Sequence, residues 1–506
     1  DTRALTVRLL SMTGGLFGPI DWLVTGAYFA LVTVIGHLSS RRGSTLQEYL
    51  LASRSLPWPA VSASIVATTV SGVTFIGVPA LVFAQGGDFR YLQFTVAGVI
   101  AKAALGYWIL PRMYAGEFSS PYQFIRAQLG PRLGGASALL FFVGAVLGQG
   151  VRVFAVALVL ELLTGLDMAW CVLVIVVFST LHTWMGGIRA VVWTDAIQFV
   201  VLVAGGLIAI LFVTQGAATG FGSVWDAGSE AGKLRMLDFT TDPRIQFTFW
   251  AGVFAMPFQN LAAYGSDQIN IQRMLCCRNL RDARIALYVS NFGELVVVLF
   301  LCVGLSLWWF YGQHPIDGSF ATLVAERADR IFPAFILTEL PAGVKGLMVA
   351  GVFAAAMSSL DSVLAALSQV TLTMFHKGHL TGELTDAKAV ALSRVFVAAW
   401  GVVLGAFALL VSGSGEALVP LAFAMTAYTY GPMLGLLLLA LFVPLERIGS
   451  ATLGVLVSMA GVLLVHNAKT FGFTDGTDLV AFPWLFPLGV LLCVGTALLP
   501  LKRRAA

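Results

Sequence analysis

Thirteen stretches of this chain are apolar for about 18 residues or more and carry few charges, a pattern that restricts the fold to a bundle of transmembrane helices. They run at roughly 19–38, 57–84, 91–111, 134–164, 168–186, 193–216, 246–265, 284–312, 344–375, 389–412, 416–444, 450–466 and 482–501. Composition agrees, because 58% of the 506 residues are hydrophobic and 11% are charged. A soluble domain carries about 25% charged residues. A soluble enzyme or nucleic-acid binder is therefore excluded. The net charge of +4 is too weak to indicate a polyanion partner. The first stretch is a full span without a basic start or a small-residue cleavage site, so it is not read as a cleaved signal peptide.

Orientation follows from where lysine and arginine fall in the loops. With residues 1–18 outside, 18 of the 30 basic residues lie inside, among them Arg41, Arg42, Arg54, Arg112, Arg189, Arg273, Arg278, Lys377, Arg503 and Arg504. Ten lie outside, and Lys102 and Arg152 lie within spans. The expectation is an extracytoplasmic tail at 1–18 and one transmembrane domain over 19–506, in the cell inner (plasma) membrane, with the C-terminus cytoplasmic. The long connections 217–245 and 313–343 face outside and read as covering loops or short surface helices. No G-x-x-x-x-G-K-[ST] phosphate loop is present, so uphill movement of a solute would need an ion gradient. The five cysteines, at 171, 276, 277, 302 and 493, show no metal or redox spacing and read as free thiols.

Three segments carry chemistry that packing alone explains poorly. The middle of the 57–84 span, Ala67-Thr68-Thr69-Val70-Ser71-Gly72-Val73-Thr74, is small and polar, and Gln259–Ser266 in the 246–265 span is similar. Interrupted spans at matching places in two halves of a chain point to a transport site at the membrane midplane, where unwound backbone exposes carbonyls and amides. Close packing of small residues is the competing explanation. In the 344–375 span, Ala355, Ser358, Ser359 and Ser362 share one helical face, with Asp361 at its edge. Hydroxyls and carbonyls of that kind suit a hard cation such as sodium. Hydroxyls that bond back to the preceding turn would account for one of these serines.

The runs Ala67–Gly77, Gly186–Gln198, Asp267–Arg273 and Ala355–Ser362 resemble the sodium/solute symporter family, and the resemblance covers the first eleven spans in order. It implies an all-α fold of the leucine-transporter type, with inverted repeats at 57–216 and 246–444, one extra N-terminal helix and C-terminal helices at 450–501. It also implies alternating access and sodium as the coupling ion, one or two per cycle. Carried over by position, the common sodium site uses carbonyls of Ala67, Val70 and Ala355 with the hydroxyls of Ser358 and Ser359. A second sodium would use Asp195, Ser358 and Ser362. Asp361 stands where sialic acid symporters have serine, and it either joins that second site or turns toward an arginine.

Sodium/sugar symporters share Asn260 but differ at Thr74, Tyr264 and Glu294, where they carry glutamine, tryptophan and lysine. Sialic acid symporters resemble the chain at Thr69, Ser71, Thr74, Phe89 and Gln93. They also pair the substrate carboxylate with an arginine in the span that corresponds to 134–164. Arg152 is the available residue, although alignment places that position one turn earlier, near Gly148. A charge at the bilayer centre costs about 2.5–3.5 kcal/mol on insertion scales, and arginine suits bidentate carboxylate recognition. The expected substrate is a small polar or anionic solute, with N-acetylneuraminate first and another sugar, polyol or monocarboxylate as alternatives. Glu294 is expected to meet an inner-loop arginine, with contact to the substrate as the alternative, and Lys102 to be paired or to line water. His182, His376 and His379 lack metal spacing. No nucleophile and base stand together, so no enzyme is expected. The expected partners are the solute and the bilayer, with the transporter acting as a monomer. Asp1 leaves room for an upstream extracytoplasmic domain. A sensor module of a larger system is the reading from a different class.

Overall fold

The computed structural model describes residues 17–40, 46–215, 217–316, 318–376, 386–413, 417–474 and 477–500. The tail at 1–16 and the basic residues Arg41, Arg42, Lys377, Lys502, Arg503 and Arg504 used for orientation lie outside the described residues, as does His379. Among the described residues there is no β-strand, only an isolated bridge between Leu56 and Cys277. The helices that build the bundle are α1 (Pro19–Ser40), α2 (Trp58–Thr69), α3 (Gly72–Phe83), α4 (Thr95–Ala104), α5 (Pro131–Thr164) and α6 (Met168–Thr214). They continue as α7 (Met256–Leu261), α8 (Gln268–Leu275), α9 (Glu294–Gln313), α10 (Val344–His376), α11 (Asp386–Val411), α12 (Leu418–Phe442), α13 (Ala451–His466) and α14 (Leu485–Leu498).

Eight described helical stretches are long and apolar enough to cross a membrane, and the bent pair α2–α3 makes a ninth. Three of the expected thirteen spans appear as shorter apolar helices, Met168–Trp184, Ala451–His466 and Phe482–Leu498. The 246–265 segment is assembled from short pieces. Two expected spans, 168–186 and 193–216, run into the single element α6. Their junction is a kink at Gly187, whose φ of 57° and ψ of −171° lie in a region that favours glycine. A β-carbon there would stand 2.9 Å from the Tyr49 carbonyl oxygen.

Interruptions appear where small polar residues dilute the apolar runs. α2 ends at Thr69, Val70 and Ser71 leave helical geometry, and α3 departs at 55°. The second break falls one residue beyond the expected run Gln259–Ser266. Wide π-type turns at Ala251–Ala255 and Ala262–Ser266 flank α7, and Asp267 is extended before α8 begins. Side-chain capping explains that location, because the Asp267 carboxylate accepts from the Ile269 amide at 2.8 Å. α10 is almost wholly buried and packs against α1, α2, α5, α6 and α11.

The long connections are more integrated than surface helices would be. Lys233 Nζ donates to the carbonyls of Val82, Ala84 and Gly87 at 2.7, 3.2 and 3.0 Å, closing the C-terminal end of α3. Asp238 accepts from Thr240 Oγ1 at 2.5 Å and pairs with Arg90 at 2.9 Å and Arg235 at 3.1 Å. In the other connection, Ile331–Thr338 is helical and buries seven successive residues, Ile331 to Leu337. That segment is a core element rather than a covering helix.

Candidate functional site

The α2–α3 break frees backbone groups that a continuous helix would consume. Carbonyls at the end of α2 and amides at the start of α3 lose their intrahelical partners there. α10 passes behind this break. Ser359 Oγ reaches the carbonyls of Thr68 and Ala355, both at 3.4 Å, so neither contact is a tight hydrogen bond. Ser358 Oγ is buried with no hydrogen-bond partner and lies near Asp195 outside hydrogen-bond geometry. Ala67, Val70 and Ala355 are all buried, and of the three only the Ala355 carbonyl has a contact with Ser359 Oγ among the described residues. Unsatisfied hard oxygens at a helix carbonyl end suit a small monovalent cation such as sodium.

Of the four residues expected around a second sodium, Asp195, Ser358 and Ser362 lie together, with Thr68 Oγ1 3.5 Å from both Asp195 Oδ2 and Ser362 Oγ, while Asp361 stands apart. Asp195 Oδ2 accepts from Ser64 Oγ at 2.5 Å and pairs with Arg273 Nη2 at 3.1 Å. Arg273 is fully buried, and it also donates to Ser362 Oγ and, through Nε at 2.7 Å, to Ser64 Oγ. Its guanidinium thus occupies the space between Asp195 and Ser362. Asp361 turns off the serine face and meets His182 Nδ1 at 2.5 Å, not an arginine. The reason is helical register, since Asp361 lies about 100° around the helix from Ser362 and a carboxylate at that depth needs a partner.

In front of the break is a cavity lined by Thr69, Ser71, Thr74, Arg152 and Asn260, five of the seven residues expected to face substrate. Arg152 Nη1 donates to the Thr68 carbonyl at 3.2 Å, the same oxygen that Ser359 approaches. A cation at this carbonyl end is also favoured by the half-helix dipole. A β-carbon at position 148 would meet Thr426 Cγ2 at 2.6 Å, and the arginine of this helix stands one turn on, at 152. Phe89 and Gln93 are not part of the lining. Phe89 is buried edge-on against Trp225, and Gln93 donates to the carbonyls of Arg90 and Phe247 while accepting from the Asp238 amide. The tight turn Arg90–Phe94 shifts the register, so Tyr91, Phe94 and Thr95 face the cavity instead.

Other charged groups also line the cavity, and of these sequence reasoning missed Asp267. Asp267 accepts from Tyr430 OH at 2.8 Å at the second break. Lys102 donates to the Ser290 carbonyl at 3.3 Å and lies 4.8 Å from the centre of the Tyr264 ring. Glu294 also faces the cavity, and among the described residues no arginine stands within 4.0 Å of it. The available signal was that each is a charge within or beside an apolar run.

Two helical breaks, a carbonyl end flanked by helical hydroxyls, and a buried cavity with a guanidinium define a secondary transporter with a central solute site. The sodium:solute symporter family model matches residues 49–459, and the chain belongs to that family. It is a sodium-coupled transporter of small solutes, not an enzyme. Human sodium-coupled monocarboxylate transporter 2 is 29% identical over 488 residues, covering 94% of this chain and 76% of that protein. The sodium/sialic acid symporter of Proteus mirabilis is 26% identical over 467 residues, covering 90% and 91%. A solved structure of a Na+-coupled sialic acid symporter in a substrate-bound, outward-open state superposes with a TM-score of 0.82 at 23% identity, covering 95% of this chain and 97% of that one. The fold is the inverted-repeat helical bundle of the leucine-transporter type.

Proposed function

We propose that the chain imports a small carboxylate-bearing solute with sodium, N-acetylneuraminate being the first candidate. The observation that carries this reading is Arg152, a guanidinium held at the α2–α3 break and open to the cavity. Thr69, Ser71, Thr74 and Asn260 would supply hydrogen bonds to the rest of the solute. One repeat would span 57–216 and the other 246–444, with 450–501 outside them, the N-terminus extracytoplasmic and the C-terminus cytoplasmic. The unit would act as a monomer in the plasma membrane, with room for an upstream domain outside.

In this reading sodium is held by the carbonyls of Ala67, Val70 and Ala355 and the hydroxyls of Ser358 and Ser359. It bridges α2 to α10 and stabilises the solute-accepting arrangement of the break. Arg152 and Ser359 converge on the Thr68 carbonyl, which gives the two sites a shared backbone element. The coupling is reciprocal, so solute raises sodium affinity by the same factor. A second sodium at Asp195 and Ser362 would have to displace Arg273, so we read one sodium per cycle.

A plain monocarboxylate is the second reading, favoured by the similarity to the human transporter named for that class. Uptake of labelled N-acetylneuraminate into proteoliposomes tests the first reading. Accumulation under an inward sodium gradient and not under potassium is expected. If labelled butyrate accumulates in its place, the second reading replaces the first.

A further inference from the structure

The cavity has a second charged pole that the proposed carboxylate site does not use. Glu294 begins α9 and faces the cavity with its carboxylate. Among the described residues, none donates a hydrogen bond to it within 3.5 Å, and no cation stands within 4.0 Å. Lys102 is near enough to be felt electrostatically, but its ammonium is committed to the Ser290 carbonyl and the Tyr264 ring. Asn260 stands beside Glu294. Its amide nitrogen donates to the Met256 carbonyl at 3.1 Å, which leaves the side-chain oxygen as an acceptor.

Both oxygens lie near Gly98 of α4. A β-carbon at that position would lie 2.8 Å from Glu294 Oε1 and 3.8 Å from Asn260 Oδ1. Glycine at this position therefore leaves room for the Glu294 carboxylate to stand beside the Asn260 oxygen, two acceptors with no donor among the described residues. A carboxylate in so enclosed a place is costly unless it is hydrogen-bonded. The Arg152 end is the opposite in character, offering donors and positive charge.

We infer that Glu294 is a specificity-determining residue and that the preferred solute is an acid with a hydrogen-bond donor at the end away from its carboxylate. A hydroxyl, an amide N–H or an ammonium would satisfy Glu294 and Asn260 Oδ1, whereas a plain aliphatic acid would leave both unmet. Sites built around a buried polar partner discriminate strongly against analogues that lack it. This inference rests on the assignment of the carboxylate to Arg152.

The test is stabilisation of the purified protein against heat, in sodium, by butyrate, 4-hydroxybutyrate, 4-aminobutyrate and N-acetylneuraminate. The donor-bearing acids are expected to act at concentrations at least about tenfold lower than butyrate. In Glu294→Ala that preference should shrink to about twofold or less, and in Gly98→Ala, which sets a methyl against Oε1, it should fall in the same direction. Stabilisation by sodium alone shows that each variant is folded. If butyrate acts as well as its 4-substituted partners in the wild type, or if both variants keep the preference, the inference is overturned while the carboxylate reading stands. If no acid stabilises the protein but a neutral sugar does, the carboxylate reading falls and takes this inference with it.

Discussion

Replacing Arg152 by glutamine should separate solute recognition from sodium binding. The substitution removes a guanidinium that lies in the cavity and whose one hydrogen bond among the described residues is to the Thr68 carbonyl at 3.2 Å. That bond is at the long end of the N–H···O range, and with no carboxylate within 4.0 Å of the guanidinium its loss should cost the fold about 1 kcal/mol or less. A solute carboxylate, by contrast, would lose a charge-assisted bond worth about 1.5–3 kcal/mol. The concentration of N-acetylneuraminate for half-maximal uptake should then rise by a factor of about 10 to 150. Lysine at 152 should recover part of the loss, because it keeps the charge but not the fork. Sodium-induced stabilisation without solute should persist in both variants, since Arg152 supplies no oxygen to the cation. A half-maximal concentration within about twofold of the wild type in the glutamine variant would refute the assignment.

Other residues give independent outcomes. Arg273→Met leaves Asp195 buried without its partner and should destabilise the protein by about 3–5 kcal/mol, while adding Asp195→Asn should recover much of that in thermal melts; an additive double variant would contradict the pairing. Lys233→Met frees three carbonyls at the end of α3 and should lower the melting temperature without altering the sodium concentration for half-maximal stabilisation. Asp238 is held down at about 2, first by the Thr240 hydroxyl and then by the Thr240 amide, Arg90 and Arg235. Because its folded pKa is depressed, its contribution is fully present above the ordinary carboxylate range and lost as pH falls toward about 2. Asp238→Asn should flatten the acid limb of stability in that window, and an unchanged limb would exclude this carboxylate as its source.

Much of the architecture was legible because the bilayer imposes a length and a composition on each span. α5, α10, α11 and α12 are apolar runs that have no other solution in lipid. The α2 break was legible too, since Ala67–Thr74 is too small and polar to be ordinary lipid-facing helix. What escaped was side-chain direction around an irregular backbone. Gln93 and Phe89 sit in or beside a tight turn, where position in sequence does not fix which way a residue faces, and both are spent on holding the covering loop. Asp361 looked like a cation ligand because it neighbours Ser358 and Ser362, yet one step around the helix delivers it to His182. Arg273 lies in the recognisable run Asp267–Arg273, but nothing local announced that it would cross to Asp195, which is 78 residues away. Long-range ion pairs are set by tertiary packing, and a single sequence carries no record of them.

The most direct test of the account is sodium binding at the junction of α2 and α10. Purified protein should be stabilised against heat by sodium and not by potassium, in the absence of any solute. Ser358→Ala and Ser359→Ala each remove one hydroxyl from the set and should raise the sodium concentration for half-maximal stabilisation by roughly tenfold. Unchanged sodium curves in both variants would mean that the cation sits elsewhere, and the account of coupling through the Thr68 carbonyl would fail.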